Sequence, residues 1–462
     1  YTLTDEWKPF FKDSNASELT GANDTNVNDK ANNYVSKLTG NDLVAFATKA
    51  SNWAQTKTNN IPADATTTVS TDATDGKYTA TFTGLDYGYY VVAVPGATLA
   101  NASGQYATLV SVDKTKVDFN IKGALPTVDK KVQVDGTGKD ATDAKIGDTL
   151  TFTLTSTIPD MSAYDTYTFN FKDTLSQGLT FGQVTSVTVD GVTDPLTVNT
   201  DYTVTTPTTS DNTLTVSMKD FKKQQANAGK KITVTYTATL NENAVVGGAG
   251  NTNSAKIQYS NDPSTNGTGE SEPSKVRVFT YGFTVDKYTG DKYNDAATRL
   301  AGAEFTLAPK GDVAISFVQV NAGSATENAV YRVAKDDETG TTTTITTPAN
   351  GKVVFQGLKN GEYTLTETKA PAGYNKLASA IGVKVNGQNN GTDTTIATVT
   401  ITYNNNNGSN YDQTASNGVI PVQNKSGAIL PGTGGMGTIA FTVIGVLVIA
   451  LGVAWTLKRK NA

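Results

Sequence analysis

The chain is 462 residues long with a formal net charge of −5, and it contains no cysteine and no histidine. That length accommodates roughly two to four domains, each with its own core, while the missing residue types exclude thiol nucleophiles, disulfide staples, the commonest zinc sites and the commonest general base. No basic patch interleaved with aromatics offers a nucleic-acid surface, and a catalytic enzyme is not expected, carboxylate-only hydrolysis being the one route left open.

Thr, Asn, Gly, Val and Tyr are abundant, the composition of twisted sheets joined by polar turns, so the expectation is an all-β extracellular rod. The chain opens at Tyr1 with neither methionine nor an apolar leader; a removed secretory leader, or a first domain missing its start, is expected. Val27, Ala31, Tyr34, Val35 and Leu38 recur at helical spacing. A second helical stretch, Asp42 to Trp53, sets Leu43, Phe46, Ala47, Ala50 and Trp53 on one face, with Asn41 as a candidate cap. Two amphipathic helices on a sheet follow, with no cofactor role. Phe82-Thr83-Gly84-Leu85 followed by Gly88 and Tyr90 has the spacing of Phe355-Gln356-Gly357-Leu358 followed by Gly361 and Tyr363, so two domains share a strand, glycine-turn, strand unit. In the run Val117 to Pro126, Val117, Phe119 and Ile121 are expected to face inward, leaving Lys122 outward at the junction with the next domain.

The middle of the chain alternates in Thr149 to Leu154 and again in Lys231 to Tyr236, each a strand with one buried face. Parity assigns polar residues to core faces. Lys130 shares a face with Val128, Val132 and Val134; Asp173 with Tyr167, Phe169 and Phe171; Asn253 with Ala255, Ile257 and Tyr259. Lys131 and Asn251 remain alternative choices. Further on, Lys287 shares a face with Phe283 and Val285, Glu367 with Tyr363 and Leu365, and Asn424 with Ile420 and Val422. A buried carboxylate needs a partner, and lysine, glutamate and asparagine are all aimed inward. Asp- and Asn-rich turns are read as solvated loops rather than calcium sites, so no metal and no cofactor is expected. After Asn424 a short Lys-Ser-Gly-Ala linker leads to Leu430-Pro431-Gly432-Thr433-Gly434, an apolar run of roughly 19 residues from Ile439 to Leu457, and Lys458-Arg459-Lys460. Such a run is long enough to span a bilayer as a helix, with the basic tail on the cytoplasmic side.

Leu430 to Gly434 with the span and basic tail resembles the LPXTG sorting signal of Gram-positive surface proteins, in which a sortase cuts after the threonine, here Thr433, and joins its carbonyl to an amine. The run Tyr363 to Tyr374 resembles the E-box of CnaB-type domains, Tyr-x-Leu-x-Glu-Thr-x-Ala-Pro-x-Gly-Tyr. In that family a lysine, an acid and an asparagine form an intramolecular isopeptide bond, which implies Lys287, Glu367 and Asn424. Burial disfavours both charged forms, so a neutral amine can attack the amide carbon while the acid polarises the carbonyl and shuttles protons as ammonia leaves. The segments around Lys130, Asp173-Thr174-Leu175 (read as a turn) and Asn253 resemble the CnaA-like middle domain of sortase-assembled pilins, where aspartate replaces glutamate. In the first domain the Phe-x-Gly-Leu alignment puts Val94 where Glu367 stands, so no E-box-type bond is expected there. The family's linking lysine often lies in a Tyr-Pro-Lys motif, absent here; Lys122 stands at the matching place, with Lys131 also outward nearby.

The resemblance implies a mainly β fold of tandem immunoglobulin-like sandwiches: residues 1–122 with inserted helices, 123–276 CnaA-like, 277–426 CnaB-type, and 427–462 the sorting signal with a transmembrane helix. It implies the shaft subunit of a covalent pilus serving adhesion and colonisation, whose partners are copies of itself, a sortase, minor pilins, peptidoglycan and a host ligand. The alternative is a monomeric wall-anchored adhesin, with a carbohydrate-active enzyme a distant third.

Overall fold

Alternation of apolar and polar residues builds the half-buried strands of the second and third domains, which pair into two-layered sandwiches. The computed structural model describes residues 2–427 apart from 14–18, 56–58, 60, 68–69, 72–77, 94–97, 100–106, 120–122, 163, 262–266, 294, 389–397, 406–407 and 409. The expected sorting signal and transmembrane helix, Lys122 and Val94 therefore lie outside the described residues.

In the first domain, helices Lys8–Lys12, Val27–Val35 and Gly40–Ala54 enclose Phe10, Phe11, Leu19, Val27, Ala31, Phe46 and Ala50. Val91 and Leu109, from the antiparallel strands Gly88–Ala93 and Ala107–Val112, pack against this cluster. The third helix starts earlier than the sequence suggests. Thr39, with extended φ −141° and ψ 156°, occupies the N-cap position, and Asn41 falls inside the first turn, where the backbone is already helical and a capping role is lost. The expected inward position of Phe119 is also corrected, while Ile121 lies outside the described residues. The strand ends at Val112, a polar Asp113-Lys114-Thr115-Lys116 stretch breaks the pairing, and Phe119 is exposed.

The second domain pairs two sheets. One contains Asp129–Val134, Thr149–Thr157, Leu179–Val189 and Lys231–Leu240; the other contains Phe169–Leu175, Thr213–Met218, Asn251–Ser260 and Ser274–Phe279. Their inner faces meet in one core that includes Phe152, Phe169, Phe171, Tyr236 and Ile257. Asp173-Thr174-Leu175 is not a turn: it completes the Phe169–Leu175 strand, held on both edges by the pairs Asp173–Leu214 and Asp173–Ala255. The third domain repeats the plan. One sheet includes Tyr281–Tyr288, Lys352–Leu358 and Val419–Gln423; the other includes Glu304–Pro309, Gly361–Lys369, Ile381–Gln388 and Thr398–Asn404. The chain crosses between the two domains at Thr280.

The repeated turn unit is realised in both places. Gly84 and Gly357 have φ of +75° and +85°, and Tyr90 and Tyr363 each donate their hydroxyl to the carbonyl four residues upstream, Asp86 at 2.9 Å and Lys359 at 2.7 Å. In the third domain this turn also receives the second. Ile146 N–H donates to Gly357 O at 3.0 Å, Asp143 accepts from the backbone and side-chain N–H of Asn360, and Lys335 pairs with Glu242 at 2.8 Å. A Cβ on Gly357 would sit 2.6 Å from Ile146 Cδ1. Gly357→Ala should cost about 1–3 kcal/mol from backbone strain alone, seen as a lower denaturation midpoint of the third domain, with the contact to Ile146 adding to the loss.

Candidate buried lysine, acid and asparagine sites

Each sandwich carries one lysine whose stem lies along an apolar face, a position its charge would normally forbid. In the third domain, Lys287 sits on Tyr281–Tyr288 beside Phe283 and Val285, and its Nζ lies over the Phe305 ring at 5.7 Å. The strand Val419–Gln423 runs parallel to it in the register Lys287–Val422, which brings the next inward residue, Asn424, alongside. Glu367 reaches in from the opposing sheet. Lys287, Glu367 and Asn424 are all buried.

Glu367 bridges the other two. Its Oε1 is 3.0 Å from Lys287 Nζ, although the pair is out of hydrogen-bond alignment, and its Oε2 accepts from Asn424 Nδ2 at 3.0 Å and from Leu377 N–H at 2.8 Å. Asn424 Nδ2 also donates to Asn375 O at 2.7 Å, and its Oδ1 has no hydrogen-bond partner. Burial pulls the Lys287 amine down to about 8, against the opposing pull of Glu367. The chain beyond Asn424 stays tied: Asn375 N–H donates to Lys425 O, and Ser426 bridges Tyr374, so the expected linker is pinned at its start.

In the second domain the donors come from opposite layers. Lys130 belongs to one sheet, whereas Asp173 and Asn253 project from adjacent strands of the other, diagonal to each other in the register Asp173–Ala255 and Leu175–Asn253. All three are fully buried. Lys130 Nζ is 2.5 Å from Asp173 Oδ2 and lies 5.1 Å from the centres of the Phe152 and Tyr236 rings. Burial lowers the affinity of Lys130 for its proton, and Asp173 opposes the shift. Asp173 Oδ1 and Asn253 Oδ1 have no hydrogen-bond partner.

The alternatives left open by parity separate here. Lys131 points to the other face, where it pairs with Asp140 at 2.6 Å and Asp129 at 3.2 Å; the Asp140 bond, more than any other contact, raises its affinity for protons. Asn251 is buried too, but its amide is consumed by the backbone of Val245 and Val278. The residue that sequence reasoning missed is Tyr236. Its hydroxyl accepts from Lys130 Nζ at 2.9 Å and from Asn253 Nδ2 at 2.6 Å and donates to Asp173 Oδ2 at 2.5 Å. The signal was present in the alternation, which puts Tyr236 on the face of Ile232 and Val234.

Among the described residues no group of three or more Asp or Glu is placed to hold a metal ion. What both clusters can do is bring an amine, an acid and a carboxamide together in a dry site. That is the set needed to exchange one amide nitrogen for another.

Known proteins bear on both domains and on the tail. Residues 146–263 match the Gram-positive pilin backbone subunit 2, Cna-B-like domain, where the sequence resemblance had pointed to the CnaA-like type. Residues 286–402 match the SpaA prealbumin-like fold domain, and residues 422–462 match the LPXTG cell wall anchor motif. The trypsin-resistant surface T6 protein of Streptococcus pyogenes serotype M6 is 25% identical over 280 residues, 55% of this chain and 44% of its own length. The chain thus spans less than half of that relative. The T6 backbone pilin structure from the same serotype shares 19% identity at a TM-score of 0.48, covering 84% of this chain and 89% of that one. A 35 kDa C-terminal fragment of the major pilin GBS80 of Streptococcus agalactiae shares 22% at 0.46, covering 65% and 99%.

Asn424→Ala leaves the Lys287 amine with no carboxamide beside it. Because its folded pKa of about 8 lies below its ordinary 10.5, the unfolded chain binds more protons between those values, and stability of the third domain should rise with pH across that window. Urea melts at stepped pH check this; a flat or falling profile would contradict it.

Proposed function

We propose that this chain is a Gram-positive backbone pilin, held at the cell wall through the LPXTG motif that its tail matches, and that it serves as a structural shaft subunit stiffened by two autocatalytic Lys–Asn isopeptide bonds. The observation that carries the reading is the recurrence of one buried lysine, acid and asparagine set in each of two tandem sandwiches upstream of a sorting motif. In the third domain Lys287 Nζ attacks Asn424 Cγ, with Glu367 on both reacting side chains; in the second, Lys130 attacks Asn253, with Asp173 as the acid. Each domain turns over once on itself, so the chain is its own substrate and not an enzyme toward others.

Polymerisation uses the sorting signal. A sortase cleaves after Thr433 within Leu430 to Gly434 and transfers the threonine carbonyl to a lysine of the next copy, for which Lys122 is the proposed acceptor. Minor pilins would cap the polymer, and a final transfer to peptidoglycan would anchor it. Adhesion and colonisation are the biological role that such a shaft serves.

Two measurements test this. The intact mass of the folded chain should fall short of the sequence mass by two molecules of ammonia, and Lys287→Ala should restore one of them; an undiminished wild-type mass would refute the cross-links. Co-expression with the cognate sortase should give a ladder of detergent-resistant multimers that collapses in Lys122→Ala. A single band from the wild type would leave a monomeric wall-anchored stalk.

A further inference from the structure

The two buried sites differ in how the acid reaches the asparagine. Glutamate in the third domain touches the amide directly, Glu367 Oε2 accepting from Asn424 Nδ2 at 3.0 Å. Aspartate in the second domain is one methylene shorter. Its Oδ2 contacts Lys130 and Tyr236, its Oδ1 has no hydrogen-bond partner, and the bond to Asn253 Nδ2 is made by the Tyr236 hydroxyl. That hydroxyl touches the attacking amine, the acid and the departing nitrogen at once, filling its one donor and two acceptor places. Strand pairing fixes it there: Tyr236 is opposite Phe152, and Lys130 is opposite Leu154 on the same central strand. The ring stacks on Phe152 at 5.3 Å.

We infer that Tyr236 is a catalytic residue of the second domain, a phenol that relays the proton between Asp173 and the leaving nitrogen of Asn253. The inference rests on the reading of this domain as self-cross-linking. In the step, neutral Lys130 Nζ forms a bond to Asn253 Cγ while the carbonyl electron pair moves onto Oδ1, to return when the leaving nitrogen departs, and the surplus Nζ proton passes to the Asp173 carboxylate at Oδ2. Once Cγ is tetrahedral, Nδ2 has a free lone pair; Tyr236 gives it the hydroxyl proton and takes one back from Asp173. The Cγ–Nδ2 bond then breaks and ammonia leaves, so one proton has moved from Nζ to Nδ2 and none is gained or lost. Burial, and after it the neighbouring Asp173, holds the Tyr236 phenol far above its ordinary value, so the hydroxyl is protonated and able to donate. The aspartate and tyrosine together do what the longer glutamate does alone.

The test follows both bonds in the same full-length chain after a pulse of cell-free synthesis, with tandem mass spectrometry locating the linked peptides. Tyr236→Phe should slow the Lys130–Asn253 link by roughly 10²-fold, the loss expected for a removed proton-transfer group, and leave the Lys287–Asn424 link at its wild-type rate. An unchanged rate for the Lys130–Asn253 link would overturn the relay. Adding Asp173→Glu to Tyr236→Phe should recover at least about tenfold, since the longer acid can then reach the amide; a merely structural tyrosine would not be rescued this way, and no recovery would count against the relay. Absence of the Lys130–Asn253 link from the unsubstituted chain would instead sink the cross-link reading, and the relay with it.

Discussion

A lysine amine held in an apolar core against a carboxyl group is the constraint on which both sandwiches depend. Such a pair, once desolvated, recovers little of what its burial costs, and removing one partner strands the other. Lys130 and Lys287 have no exposed side-chain surface, so neither can relax toward water by extending its stem. In the proposed reaction the amine becomes part of a neutral amide, which removes the desolvation cost at the lysine and leaves one acid to be satisfied by hydrogen bonds. Leu377 N–H already supplies one such bond to Glu367. An arrangement that destabilises the unreacted core therefore also drives its conversion, and burial is at once the strain and the means of activation.

The same chemistry is mounted on two frames. In the third domain, Lys287 lies on the first strand and Asn424 directly after the last, which runs parallel beside it, and the acid comes from across the core. In the second, lysine and tyrosine come from one sheet and acid and asparagine from the other. The first frame joins the edge strand of a sheet to its neighbour; the second pins one layer to the other. The difference in acid length belongs to this difference in frame: where the acid and asparagine stand diagonal on one sheet, a short side chain suffices only because a hydroxyl from the facing sheet completes the contact.

Much of this was legible in the sequence because β alternation is a parity rule, and a charged residue on the wrong parity stands out. Lys130, Asp173, Asn253, Lys287, Glu367 and Asn424 all declare themselves that way, and the structure brings each trio together. Parity could not separate Asn253 from Asn251, two residues apart and equally buried; only the backbone partners of Asn251 do so. It also passed over Tyr236, because a tyrosine on a core face is ordinary filling until strand register shows where its hydroxyl ends. Boundaries failed where local chemistry competed: Asp173 reads as a turn residue yet is held in a strand by neighbours on both sides, and Phe119 reads as core yet follows a polar stretch that ends the pairing.

Placement of the two clusters decides where tension would run. Pulling on the ends of the third domain shears Tyr281–Tyr288 against Val419–Gln423, and a Lys287–Asn424 bond would carry that load covalently. In the second domain a Lys130–Asn253 bond would take it from the entering strand across the core. Between Asn253 and Lys287, however, neither bond acts. There the load falls on the ladder of Asn251–Ala255 against Ser274–Val278 and on the contacts of Asp143 with Asn360 and of Ile146 with Gly357. Ladder hydrogen bonds are individually modest, so a rod cross-linked in this way yields first at the passage from the second domain to the third, and the tight seat of Ile146 over a glycine turn lies where yielding would begin.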